Sequence, residues 1–297
     1  MEKRIICGLG IWVWLGAALL SAQEIPRLRS LAAESLPAEE GQAEARMFAE
    51  EEPEEEEDEI ETDRDSFTPS MVTAARRRMI VEAAHSYIDN HHVPDTHSFP
   101  ELLVRYGVND WLELRMGWNY EVGGAANPAS GSVPGDFEEE SHLEAEHRAL
   151  YGLKAQLTSQ EGWRPNSIFI LQGYTPTGGV VSKTQMSAGY GLGWKLPNRW
   201  SWDSSLRLST SDEHGDNFNV WSPSTVLKIP IGEKWKIHGE YFGVFSDGRE
   251  KETVQHYFSP GAHYLIHRDL EIGVRMGWGL NDQSANMFVN SGLGWRY

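Results

Sequence analysis

From Arg76 to Tyr297 the chain reads as run after run of alternating apolar and polar side chains, and it ends on an aromatic. Leu270, Ile272, Val274, Met276, Trp278 and Leu280 share one face of such a run, and Glu271, Gly273, Arg275, Gly277 and Gly279 share the other. Only a strand, with its side-chain period of two, sorts residues this way. Leu112 to Trp118 behaves likewise. One face suits lipid and the other water, so the pattern predicts an all-β fold: an up-and-down antiparallel transmembrane β-barrel of about twelve strands. The expected strands run over 76–88, 97–107, 111–121, 147–158, 165–174, 183–196, 199–209, 217–229, 234–246, 253–266, 269–280 and 285–297. Alternation is weakest over 76–88, 165–174 and 217–229.

The connections carry the topology. Asn109-Asp110, Gln160 to Gly162, Asn198-Arg199, Gly232-Glu233 and His267-Arg268 are short. Between them fall longer ones: 90–96, 123–146, 176–181, 210–216, 247–252 and a shorter last link, 281–284. Alternate short and long links are what a barrel with short periplasmic turns and long external loops requires, and they put both chain ends on the periplasmic side. A Greek-key sandwich has no reason to give that order. Mean hydropathy is −0.48 and 40 % of residues are hydrophobic, as expected when only half of each strand faces lipid. Trp118, Trp194, Trp278 and Trp295 each follow a glycine on the apolar face, placed to serve both membrane interfaces.

Three segments are expected. Residues 1–22 read as a secretory signal peptide: Lys3 and Arg4, an apolar stretch from Ile5 to Leu20, and small residues Ser21-Ala22. Residues 23–75 read as an acidic, disordered periplasmic segment, and 76–297 as the barrel. Glu39 to Asp65 holds fifteen acidic residues against Arg46 and Arg64, within a chain of net charge −18. Such a run repels itself and has little apolar surface to bury. Two readings fit it: a solvated tail, or a tail that binds divalent cations or a basic periplasmic partner. The charge excludes nucleic acid as a partner. Cys7 is the only cysteine and lies in the leader, which excludes disulfide and thiolate chemistry from the mature chain.

The inward face is where function is expected. Its candidate lumen-lining residues are Arg105, Glu113, Arg115, Asn119, Arg148, Lys154, Asp203, Arg207, Lys236, His238, Glu240, Glu271, Arg275, Asn290 and Arg296, with many glycines between them. Mixed charge argues against strong selectivity for simple cations or anions. It suits either a polar passage for a small-molecule permeant or a web of ion pairs that seals the lumen. The 123–146 link is the expected candidate for folding over or into the mouth. His91, His92 and His97 lie near Asp95, residue types that suit a transition metal, yet without strand or helix spacing they read as polar surface. A hydrolase would need a Ser-His pair, such as Ser259 with His263, but no GxSxG, HExxH or phosphate-binding loop is present. No catalytic residue, cofactor or metal is expected, and the partners are outer-membrane lipid and a small permeant.

Several stretches resemble one family. Thr62-Asp63-Arg64-Asp65-Ser66-Phe67-Thr68-Pro69-Ser70 is similar to the Asp-Arg-x-x-Phe-Thr lead-in of the phenol-degradation MetA-pathway family of outer-membrane proteins. Val81 to Tyr87 resembles its first strand, and Phe99 to Gly107 followed by Leu112 to Arg115 resembles its next hairpin. Tyr174 to Gly178 resembles its Pro-Thr-Gly loop. The resemblance implies a transporter-like barrel in the outer membrane, linked to uptake of aromatic or other hydrophobic compounds. Arg76-Arg77-Arg78 and the long acidic leader depart from the family's pattern.

Overall fold

A computed structural model describes residues 59–64, 66–130, 143–179, 183–213, 216–249 and 252–297. The expected leader, most of the acidic segment, and residues 131–142 of the longest link lie outside the described residues.

Each expected strand is present. They are β1 (Met79–Asp89), β2 (Thr96–Asn109), β3 (Leu112–Gly123), β4 (Glu144–Thr158), β5 (Asn166–Gly178), β6 (Gln185–Lys195), β7 (Ser201–Glu213), β8 (Asp216–Ile231), β9 (Trp235–Asp247), β10 (Val254–His267), β11 (Leu270–Gly279) and β12 (Met287–Arg296). Every strand pairs antiparallel with its sequence neighbours, and β1 pairs with β12 from Ile80↔Arg296 to Asp89↔Met287, closing the barrel. Closure leaves no strand edge unpaired, the condition for β-structure in lipid.

Period-two sorting holds around the wall. Leu114 and Val274 are 48 % and 51 % exposed, while their neighbours Glu113 and Arg275 are 0 % and 2 % exposed. The outer surface is a continuous apolar belt that includes Met116, Leu171, Leu206, Met276 and Leu293. Toward the short-turn rim it gives way to aromatics, with Trp194 stacked on Trp202 at 5.4 Å and Trp295 edge-on to Tyr297. Short turns have local causes: the Asn109 side chain accepts from the Trp111 and Leu112 amides at 3.0 and 2.8 Å, and Gly232 takes φ 70°. One link differs from expectation. The stretch 210–216 is mostly strand, because β7 continues to Glu213 and β8 begins at Asp216.

The boundary expected at residue 76 also moves. Residues 59–75 belong to the same compact unit as the strands rather than to a tail. The segment enters at the short-turn rim, where the Ile60 amide donates to the Arg268 carbonyl at 3.0 Å. It rises to Phe67 and returns to the same rim, where the Arg77 amide meets the Gly107 carbonyl at 2.7 Å. Ile60, Phe67, Met71 and Ala74 are all buried.

Candidate functional site

A loop inside a barrel has no ladder to satisfy its backbone, so its amides need side-chain acceptors. Three wall glutamates supply them. One Glu82 oxygen accepts from the Asp63 and Arg64 amides at 2.8 and 2.9 Å. The Glu240 carboxylate takes the Phe67 and Thr68 amides at 3.0 and 2.7 Å. Glu113 takes the Ala74 amide at 2.7 Å.

Side chains of the segment complete a buried ion cluster. Asp63 accepts from Arg115, from Lys154 at 3.2 Å to both oxygens, and from the Ser70 amide and hydroxyl at 2.9 and 2.7 Å. Arg105 holds Glu113 through two parallel bonds of 2.9 Å, Glu82 at 3.0 Å and the Glu61 carbonyl at 2.8 Å. Asp63, Arg105 and Glu113 are fully buried. Buried charges survive only with well-placed partners, so wall and segment each depend on the other.

Above the ion cluster the inner face turns apolar. The Phe67 ring stacks on Phe242 at 4.3 Å, and Phe242 meets Tyr257 at 4.9 Å and Phe288 at 5.9 Å. Ile88, Phe218, Val220 and Val244 join this cluster, and so does Ala129 from the β3–β4 link. The described start of that link, residues 124–130, folds inward. Asn127 donates to Glu101 at 2.7 Å and to Glu121 through its amide at 2.9 Å. Arg64 reaches Glu101 and the Ser130 hydroxyl, both at 3.3 Å, and Arg275 donates to the Ala129 carbonyl. The inner face is therefore not polar throughout: where it meets the segment's apex and the link, it packs rather than hydrates.

The expected lumen residues divide among these layers. Arg105, Glu113, Arg115 and Lys154 form the ion cluster around Asp63. Glu240 also holds Arg275, at 2.9 Å. Glu271 accepts from Thr62 at 3.1 Å, and His238 and His263 share a 2.7 Å contact with stacked rings. Asn119 accepts from Ser98 at 3.0 Å, Asn290 donates to Ser86 at 2.8 Å, and Arg148 meets Gln185 at 3.2 Å. Asp203 presses on Gly193, whose missing side chain also makes room for Met71. Arg207 lies over the Phe67 ring at 4.5 Å. Lys236, paired with Glu59 at 3.0 Å, and Arg296, paired with Asp269 at 2.7 Å, are each partnered by a residue outside the strands.

Other candidate groupings come apart. The Ser259 hydroxyl donates to the Met276 carbonyl at 3.1 Å, while His263 faces His238. His91 lies against His92, and His97 against His85 and Tyr87. Sequence reasoning missed Glu82, Glu101, Asp63 and Arg64. The signal that marks the last two is the Asp63-Arg64-x-x-Phe67-Thr68 lead-in, and all four of its named positions touch the wall.

Comparison with protein families places residues 62–297 in the family described as "Putative MetA-pathway of phenol degradation". The chain belongs to that family. No curated protein matches it. Among solved structures, an outer membrane channel from Pseudomonas putida F1 is similar in fold, with TM-score 0.54 and 10% identity over 77% of this chain and 98% of that one. The NanC porin follows at 0.48 and 9%, over 72% and 98%. The translocator domain of the autotransporter NalP from Neisseria meningitidis follows at 0.47 and 13%, over 74% and 88%.

Proposed function

We propose that this chain is an outer-membrane channel that passes a small compound passively and is held shut by residues 59–75 together with the inward-folded residues 124–130 of the β3–β4 link. The observation that carries the reading is what fills the lumen. Among the described residues, much of it is a loop tethered to the wall by hydrogen bonds and ion pairs. Water or a polar solute can replace such partners one by one, whereas an apolar core offers no hydrated alternative. The family resemblance points to an aromatic or hydrophobic permeant, and the Phe67, Phe242, Tyr257 and Phe288 rings offer it a matching surface. Neither catalysis nor a cofactor enters this reading.

A sealed structural barrel is the second reading, and the fully buried Asp63–Arg105–Glu113 cluster favours it. Planar-bilayer recording separates the two. The channel reading expects rare, brief openings in the mature chain and long, larger ones after deletion of 59–75. Silence in both proteins establishes the sealed barrel.

A further inference from the structure

We propose that the lumen carries a seat for the carboxylate head of a small organic acid, formed by Arg207, Gln172 and Arg115 beside Phe67. The inference deepens the passage reading and rests on it for its physiological meaning. A cavity of about 30 Å³ lies between the 59–75 segment and the inner faces of β5, β6 and β7. By the measure that gives one water about 10–15 Å³, this is room for two waters or one carboxylate group.

Its polar lining is rich in donors that lack an acceptor. Gln172 is buried; its Oε1 accepts from the Tyr174 hydroxyl at 3.2 Å, and its Nε2 has no partner. Arg115 commits Nη1 to Asp63 and Glu113, but its buried Nε is unpaired. Arg207 lines the cavity and stacks on Phe67, and among the described residues no carboxylate pairs with it. Asp63, the carboxylate among the described lining residues, is already shared by Arg115, Lys154 and Ser70.

Buried donors without acceptors are costly, a guanidinium most of all. A carboxylate answers this donor set: two oxygens, several lone pairs and the opposite charge. A cation would meet two guanidiniums. A neutral amide would bring one acceptor oxygen and surplus donors. Phe67, Ile168 and Ile170 form an apolar wall beside the seat, suited to a short hydrocarbon body. Gly189 keeps the space open, since a Cβ there would come no closer than 3.9 Å to another atom.

Isothermal titration of the detergent-folded mature chain with propionate and with its neutral isostere propionamide tests the seat. Propionate is expected to bind at least ten-fold more tightly. Arg207→Gln should reduce propionate to the level of propionamide. Gly189→Leu, which fills the cavity and leaves both guanidiniums in place, should do the same, and it decides the matter if Arg207→Gln does not fold. Equal binding of the two probes by the parent chain overturns the proposal, as does a preference that survives both substitutions. Titration reads no flux. A barrel that never conducts yet prefers propionate keeps the seat and loses the channel; one that conducts without that preference does the reverse.

Discussion

Single carboxylates decide whether the lumen loop is held. Glu240 accepts two segment amides and one guanidinium, so its loss strands three donors at once. Glu240→Ala is expected to make the 59–75 stretch cleavable by added protease in a barrel that still migrates as folded, and to lower stability by about 1–3 kcal/mol for each donor left dry. Limited proteolysis beside an unfolding titration measures both. Asp63→Ala removes the anion that Arg115 and Lys154 share. A buried charge pair broken on one side costs about 3–5 kcal/mol. The unfolding midpoint in denaturant should fall accordingly, and an unchanged midpoint would show that water enters the cluster freely. Period-two reasoning brought out the wall residues Arg105, Glu113, Arg115 and Lys154, since alternation alone assigns a face. It was silent on Asp63, because no local rule reports a partner 91 residues away.

The three strands whose alternation is blurred in the sequence all pack the lumen loop or the β3–β4 link, as β9, β10 and β12 do through Phe242, Tyr257 and Phe288. β1 turns Ile80 and Ile88 inward, β5 turns Ile168 and Ile170 inward, and β8 turns Phe218 and Val220 inward. Met71 covers the β5 pair, while Phe67 and Ala129 belong to the cluster that holds Ile88, Phe218 and Val220. With apolar residues on both faces, a strand loses its period-two contrast, so this fading is a trace of the loop itself. The lipid face remains plain. Val274→Arg or Leu114→Arg should cost about 2–4 kcal/mol if the site lies near mid-membrane, read as reduced folding into vesicles on heat-modifiability gels. A Gly294 side chain would collide with the loop, because a Cβ there would lie 2.2 Å from Thr62. Gly294→Val is therefore expected to unseat the loop's first turn while leaving every charge in place, and to raise conductance above that of the parent chain.

At the level of the whole barrel, the β1–β12 closure is braced beside its short-turn rim. Arg296, on the last strand, holds Asp269 in the β10–β11 turn at 2.8 and 2.7 Å. Partial desolvation pushes the Asp269 carboxyl up. The Arg296 hydrogen bond and the charges of Arg296, Arg268 and His267 more than reverse this and hold it below the ordinary carboxylate range. A carboxylate lowered on folding stabilises fully above its unfolded pKa of about 3.9 and loses that contribution as pH falls through its folded value. Asp269→Asn should therefore be less stable than the parent at neutral pH and match it in strong acid, measured by urea unfolding at both. The barrel was legible from strand period and link length. The 23–75 boundary was not, because the acidic run dominates that stretch's composition while the few residues that enter the wall, Ile60, Asp63 and Phe67 among them, form no repeat.

The lumen loop runs straight into β1, and β1 carries Glu82, which grips the loop's outbound limb. The same strand must find β12 for the cylinder to exist. One strand therefore both closes the ring of hydrogen bonds and anchors what lies within it, so whatever pulls β1 from β12 pulls on that anchor as well.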